Sequence, residues 1–156
     1  MVTIKSLNKS NFARYGSIIE FTPEADNFQV QIQENGNTGW RIALLKVNNK
    51  SINTVSCHPN SMETFEPLEG TVVLIVAKHE KPEELEAFLL DKPVCVKKSI
   101  WHNLLALSSS ALVKITENAW VESEIYELGS EFKIVLGISN RPQKAERRNE
   151  IGQRPW

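Results

Sequence analysis

Residues 58–70 read HPNSMETFEPLEG, and this segment combines two potential metal ligands with the signals of a strand and a turn. Glu63 follows His58 by five positions, and Glu69-Gly70 is a strong signal for a two-residue hairpin turn. The apolar run that comes next predicts a hairpin with strands over residues 62–68 and 71–77. Such a strand pair would direct an imidazole and a carboxylate toward one point.

The rest of the chain predicts the same kind of structure, with short strands separated by turn residues. Strands are expected over residues 17–21, 41–48, 52–57, 93–97, 111–116, 120–128 and 132–138. Two short helices are also expected. One lies near the N-terminus, capped by Asn8 or Ser10 and ended by a left-handed Gly16, and the other spans Pro82–Leu90. Many short strands and little helix predict an all-β sandwich or barrel.

Composition and charge limit the classes of function. The 156 residues suit one domain, and a formal net charge of −1 gives no overall attraction to nucleic acid or an anionic membrane. The N-terminus lacks the apolar run of a signal peptide, and no stretch approaches the roughly 18 apolar residues of a membrane span. Cys57 and Cys95 are too few for a disulfide framework, so both are expected to be reduced. These features predict a soluble cytoplasmic protein.

The C-terminal residues differ in composition from the rest of the chain. Residues 141–156 are rich in charge and poor in apolar side chains, so we expect a single domain over residues 1–140 followed by a charged tail. Such a composition is typical of a mobile segment. The alternative is an arm whose Trp156 anchors on a partner subunit.

The three histidines differ in their surroundings. His79 lies in a charged turn and is expected on the solvated surface, whereas His58 and His102 are expected at strand ends. His102, on a distant strand, is the available third partner for His58 and Glu63. Two histidines and a carboxylate with open positions form a recurring set for a catalytic divalent metal. Hydrogen-bonded structural histidines are the alternative interpretation.

These residues carry a resemblance to a known family. The spacing from His58 through Glu63 to Gly70 resembles the second half of the first cupin motif, and His102 stands where the second motif has its histidine. More specifically, the chain resembles the ureidoglycolate lyases, long called ureidoglycolate hydrolases, a cupin-like family. The matching segments are Phe12-x-x-Tyr15-Gly16, Ile19-Glu20, His58-Pro59, Phe65-Glu66-Pro67-Leu68-Glu69-Gly70, the strand 72–77, Leu85-Glu86-Ala87-Phe88 and Ser99-Ile100-Trp101-His102-Asn103-Leu104-Leu105.

The resemblance implies a jelly-roll-like β-barrel of the cupin type, a homodimer and a metal-assisted reaction. Ureidoglycolate, or a related small 2-hydroxy acid, would be cleaved to glyoxylate and urea. His58, Glu63 and His102 would form the catalytic centre and bind a divalent ion, with nickel, zinc, manganese and iron all open. In this scheme Glu63 is either the third ligand or the base.

Three further residues are candidates for binding the substrate. Trp101 would wall the pocket, Asn103 replaces the family's second consecutive histidine, and Arg41 would hold the substrate carboxylate through two hydrogen bonds. The alternative interpretations are that Trp101 is an ordinary core residue and that Arg41 is a surface residue of a strand. The chain also departs from the family pattern at Ser56 and Ser99, where cupins usually have a histidine and a glycine.

Three functions therefore stay open at this point. The first is a lyase or hydrolase acting on ureidoglycolate or a related acid. The second is another metal-dependent cupin enzyme, such as an isomerase or dioxygenase. The third is a non-catalytic cupin that binds a small ligand.

Overall fold

The computed structural model describes residues 2–24 and 27–135, and nearly all of its regular structure is β. The elements are β1 (Ile4–Ser6), α1 (Lys9–Phe12), β2 (Gly16–Ile18), β3 (Trp40–Val47), β4 (Ser51–Cys57), β5 (Glu63–Glu69), β6 (Val72–Ala77), β7 (Glu86–Leu89), β8 (Val94–Val96), β9 (Trp101–Ala106), β10 (Ala111–Asn118) and β11 (Glu124–Lys133).

The strands form two sheets. One has the order β1-β7-β6-β9-β4-β11 and the other the order β2-β8-β5-β10-β3. Successive strands of the segment β3–β6 alternate between the sheets, and so do those of β7–β10. This is a double-sheet jelly roll, the architecture that cupins share. The predicted fold class, an all-β, jelly-roll-like barrel of the cupin type with one or two short peripheral helices, is confirmed, with one helix, α1, among the described residues.

Strand β6 explains how the core is divided. All six of its residues are buried, and their side chains alternate between two apolar clusters. Val72, Leu74 and Val76 point into the main core, which also takes in side chains from β5, β8 and β10. Val73, Ile75 and Ala77 point to the opposite face, which β11 helps to cover with side chains such as Tyr126 and Phe132. A strand buried on both faces reads as a continuous apolar run.

The predicted hairpin at Glu69-Gly70 is wrong. Strands β5 and β6 leave this turn in different sheets, so they do not pair with each other. Gly70 nevertheless has a structural role, because its φ is 71° and an added Cβ would lie 2.3 Å from the carbonyl oxygen of Ser110. Only glycine tolerates both conditions. The turn that the sequence signals is present, but it joins strands of two different sheets.

The helix predicted over Pro82–Leu90 is also wrong. The first residues form a turn, and β7 follows, paired with β6 and with β1. Ala87 and Phe88 are both buried but belong to different apolar clusters. The spacing resembled a helical stripe because this strand buries side chains on both of its faces.

Near the two ends of the described chain, the structure differs in part from the predicted helix and strands. Asn8 caps α1, and Asn11 completes a capping box with it. Gly16 is not left-handed; it lies in β2, where an added Cβ would be 2.1 Å from the carbonyl oxygen of Cys95.

The two strands predicted after residue 119 form one irregular strand, β11. Residues 136–138 of the second predicted strand, the tail 141–156 and Trp156 lie outside the described residues.

Among the described residues, no helix has the length and apolar character to span a membrane.

Candidate functional site

The structure brings His58, Glu63 and His102 together in the barrel. His58 directly follows β4, Glu63 begins β5 in the other sheet, and His102 lies on β9 beside β4. The Oε2 atom of Glu63 lies 3.1 Å from Nε2 of His58 and 2.9 Å from Nε2 of His102. All three side chains are largely buried. The sequence-predicted trio therefore forms one compact cluster, which we call the inner cluster.

Backbone carbonyls set the tautomers of the two imidazoles. Nδ1 of His58 lies 3.0 Å from the carbonyl oxygen of Glu122, and Nδ1 of His102 lies 2.9 Å from that of Ile100. Because a carbonyl oxygen only accepts hydrogen bonds, each Nδ1 carries the hydrogen. When the rings are neutral, both Nε2 atoms therefore present a lone pair to the carboxylate.

One oxygen of the Glu63 carboxylate has no aligned hydrogen-bond donor. Its Oε2 atom is buried, and although two ring nitrogens are close to it, neither contact is aligned as a hydrogen bond. An unpartnered buried carboxylate oxygen is costly. Three acceptor atoms that converge in this way need a cation between them, either protons on the imidazoles or a metal ion.

The geometry of the inner cluster fits a divalent metal. Ligands that lie about 2.0–2.2 Å from a metal and subtend a right angle are about 3 Å apart. The two measured separations, 2.9 and 3.1 Å, agree with that value. Each histidine also donates its other ring hydrogen to a carbonyl, which is the usual second contact of a metal-binding histidine. These residues could therefore hold the metal ion that the sequence predicts.

The charges in the cluster reinforce one another. Burial alone would raise the pKa of the Glu63 carboxyl, but the imidazoles of His102 and His58 more than offset burial and lower this pKa to about 2. Burial would lower the pKa of His58, yet the Glu63 carboxylate and the nearby Glu122 carbonyl and Glu117 carboxylate raise it above its usual value. Without metal, the cluster favours a carboxylate beside a protonated His58.

A second acidic residue, Glu117, belongs to the same site, although it is not among the candidates that the sequence predicts. It lies opposite Glu63 across β5 and β10, and opposite Arg41 across β10 and β3. Nε and Nη2 of Arg41 lie 2.8 and 2.7 Å from Oε1 of Glu117. The Glu117 side chain is 8% exposed and that of Arg41 is 53% exposed. Arg41, Glu117 and Glu63 thus lie side by side across three neighbouring strands, with Arg41 nearest to solvent. Arg41 is already paired with Glu117.

Trp101 and Asn103 do not line the inner cluster. They flank His102 on β9, and successive strand residues point to opposite faces. Trp101 belongs to the other apolar cluster, and its Nε1 donates to the carbonyl oxygen of His79. Asn103 donates through Nδ2 to the carbonyl oxygen of Thr54. The structure thus gives both residues a structural role, against the prediction that they bind substrate.

Phe65 takes the position that the sequence analysis assigned to Trp101. Its ring centroid lies 5.4 Å from that of His102, with the rings at 63°. The period of two along a strand gives the signal, because Phe65 follows Glu63 by two residues and so shares its face.

Fold and site together define a jelly-roll protein with a cluster of two histidines and one carboxylate. No protein-family model matches the chain, and no curated protein matches it. Among solved structures it is similar to oxalate decarboxylase from Bacillus subtilis, at 17% identity over 58% of this chain and 24% of that chain, with a TM-score of 0.44. It is also similar to QdtA, a sugar 3,4-ketoisomerase from Thermoanaerobacterium thermosaccharolyticum, at 13% identity over 70% of this chain and 80% of that chain, with a TM-score of 0.45. A third is dTDP-4-dehydrorhamnose 3,5-epimerase from Elizabethkingia anophelis NUHP1, at 14% identity over 65% and 58%, with a TM-score of 0.42.

The chain spans only about a quarter of the length of the decarboxylase. Structural likenesses as remote as these carry no information about the activity of this chain.

Proposed function

We propose that this protein is a metal-dependent enzyme whose centre is the inner cluster. The substrate that we propose is ureidoglycolate or a related small 2-hydroxy acid, cleaved at a carbon–nitrogen bond. The observation that carries the proposal is the convergence of two Nε2 atoms on the unpartnered Oε2 of Glu63. The substrate class rests on the sequence resemblance and on the nearby Arg41.

The reaction sets definite chemical requirements. The α-carbon of ureidoglycolate carries a hydroxyl group and a urea nitrogen. A base removes the hydroxyl proton, the carbon–nitrogen bond breaks as the oxygen becomes the aldehyde of glyoxylate, and the departing urea nitrogen takes up a proton. A bound divalent ion would lower the pKa of the hydroxyl group and offset the developing negative charge.

The residues of the chain divide these tasks. His58 and His102 are held by backbone carbonyls in the orientation that a ligand needs. Glu63 serves either as the third ligand or as the base that accepts the hydroxyl proton. Phe65 and the surrounding strands limit the access of water to the cluster. Arg41 would bind the substrate carboxylate with the guanidinium hydrogens that Glu117 does not engage.

The pairing of Arg41 with Glu117 also supports a second candidate. Because that pair neutralises the cation, the site has less preference for an anionic substrate than an unpaired arginine would give it. An isomerase or dioxygenase that uses the same metal ligands is compatible with this feature. So is a protein that binds a small neutral ligand without catalysis.

The test combines metal analysis with a product assay. Purified protein should contain metal and should release urea and glyoxylate from ureidoglycolate, more rapidly when divalent metal is added. His102→Ala should lower the metal content and abolish turnover. Glu63→Gln should reduce turnover by at least about 10²-fold, the lower range for loss of general acid–base catalysis.

Glu66→Gln is the matched control for Glu63→Gln. Glu66 lies on the same strand but pairs with Lys114 outside the cluster, at 2.8 Å. This variant should keep both metal and turnover. If the wild type and His102→Ala process ureidoglycolate equally, or if neither does with any metal, the lyase proposal is wrong. Metal content that depends on His102 without this turnover would favour another metal-dependent enzyme.

A further inference from the structure

A second group of potential ligands lies on the opposite face of β4 from His58. Cys57, His79 and Glu124 each offer one ligand atom, and these atoms all lie within 4.8 Å of one another. The Sγ atom of Cys57 is 3.8 Å from Oε2 of Glu124, and Nε2 of His79 is 4.0 Å from the same oxygen. We call these residues the outer cluster. From the sequence, His79 is expected on the surface, and Cys57 has no predicted role.

Three separate parts of the fold hold the outer cluster in place. Cys57 ends β4 and lies directly opposite Glu124, which begins β11. His79 lies in the turn that follows β6, and its ring stacks on Trp101 with the centroids 5.5 Å apart and the planes at 15°. The indole of Trp101 also donates to the carbonyl oxygen of His79. The stacking orients the imidazole ring, and the hydrogen bond holds the backbone of His79 against Trp101.

The donor set is characteristic of one kind of cation. Thiolate, imidazole and carboxylate all bind zinc, at about 2.3 Å for sulfur and 2.0–2.2 Å for nitrogen and oxygen. In a tetrahedral site, these bond lengths place sulfur and oxygen about 3.6 Å apart, and nitrogen and oxygen about 3.4 Å apart. The measured separations exceed these values by less than an ångström. The Glu124 side chain is 51% exposed, so a change of its rotamer can shorten both separations while His79 stays stacked on Trp101.

We propose that the outer cluster binds Zn²⁺ or a similar thiophilic divalent cation, with a fourth position left to water. On binding, the Cys57 thiol releases its proton to solvent and sulfur becomes a ligand. This site is separate from the inner cluster, which has no thiol. Its existence does not depend on the function proposed above.

Cobalt distinguishes the two sites, because only a thiolate ligand gives a sulfur-to-Co²⁺ charge-transfer band in the near ultraviolet. Titrating the reduced, metal-free protein with Co²⁺ should produce this band. Cys57→Ala should abolish it, while Cys95→Ala, which removes the other buried free thiol, should leave it unchanged. Glu63→Gln, which alters only the inner cluster, should also retain the band.

His79→Ala provides a second test that does not alter a buried side chain. It should weaken Co²⁺ and Zn²⁺ binding at the outer cluster by tenfold or more, with an unchanged circular dichroism spectrum. The proposal is overturned if the wild type shows no band at saturating Co²⁺, or if His79→Ala binds with unchanged affinity. It is also overturned if the band persists in Cys57→Ala or disappears in Cys95→Ala.

Discussion

The backbone amide of Ser99 donates a 3.0 Å hydrogen bond to the carbonyl oxygen of His58. This contact joins the end of β4 to the turn before β9, and so it links the segments that carry two of the inner-cluster residues. Ser99 has a φ of 61°, and it is the only non-glycine residue with positive φ in the described part of the chain. The resemblance to cupins places a glycine at this position. The chain therefore accepts local strain next to the site.

Replacing Ser99 by glycine should relieve this strain. A left-handed conformation costs an L-residue roughly 1–2 kcal/mol, and glycine removes this cost. The greater freedom of glycine in the unfolded chain offsets roughly 0.5–1 kcal/mol of the stabilisation. We expect Ser99→Gly to raise the free energy of unfolding by about 0.5–1 kcal/mol, measured by urea denaturation.

Ser109→Gly is the matched control for that substitution. Ser109 is an exposed loop residue without positive φ, so glycine there should lower the free energy of unfolding slightly. If Ser99→Gly destabilises the protein as Ser109→Gly does, the conformation of Ser99 is not strained.

The inner cluster should make the stability of the metal-free protein depend on pH. The pKa of His58 is raised in the folded state, mainly because the Glu63 carboxylate outweighs the effect of burial. A raised pKa contributes stability that is fully present below about pH 6.5 and is lost as the pH rises through the raised value. The Glu63 carboxyl stays ionised throughout this range, because its pKa is lowered to about 2.

The measurement compares the wild type with Glu63→Gln in the presence of a chelator. The wild type should exceed the variant in free energy of unfolding by more at pH 6 than at pH 9. Glu66→Gln removes a surface pair with Lys114, whose charge does not change over this range, so its effect should be the same at both pH values. An equal difference for Glu63→Gln at pH 6 and pH 9 would contradict the prediction.

The sequence could predict that His58, Glu63 and His102 lie close together, because two of them are near each other along the chain and the third matches a spaced motif. His58 and Glu63 flank one turn, and His102 follows a tryptophan that the resemblance locates. The Arg41–Glu117 pair lacks such a signal, since it depends on the register of β3 against β10, which a single sequence does not reveal. Local patterns also failed at β7, where burial on both faces resembled a helix.

The pairing of the strands was also beyond what the sequence could predict. Glu69-Gly70 has the local chemistry of a hairpin turn, and Gly70 does have positive φ. The pairing partners of β5 and β6 are nevertheless distant strands, selected by packing of the two sheets. Adjacent residues of a strand point to opposite faces of the sheet. Because Trp101 and His102 are adjacent on β9, the two side chains lie on opposite faces.

We propose the exposed edge strand β3 as the interface of the predicted homodimer. It ends one sheet, and Trp40, Ile42 and Leu44 form an outward row with 55–68% of each residue exposed. An apolar edge strand tends to pair with another chain, and two copies of β3 would meet antiparallel about a two-fold axis. We expect the wild type to sediment as a dimer at micromolar concentration and Leu44→Lys to sediment as a monomer.

Ile125→Lys is the control for the dimer prediction. Ile125 is also exposed and lies on β11, one of the two edge strands of the other sheet. This variant should remain dimeric. A monomeric wild type, or a Leu44→Lys variant that still dimerises, would rule out an interface through β3.

The Arg41–Glu117 pair should determine how tightly a carboxylate substrate binds. Losing a charged hydrogen bond costs about 1.5–3 kcal/mol, equivalent to a rise in KM of about 10- to 150-fold. Because Arg41→Met alone would leave the buried Glu117 carboxylate unpaired, the variant to assay is Arg41→Met combined with Glu117→Gln. We expect it to raise KM for ureidoglycolate while kcat changes little. Lys46→Met, on the outward face of the same strand, should leave KM unchanged, and an unchanged KM in the double variant would remove Arg41 from substrate binding.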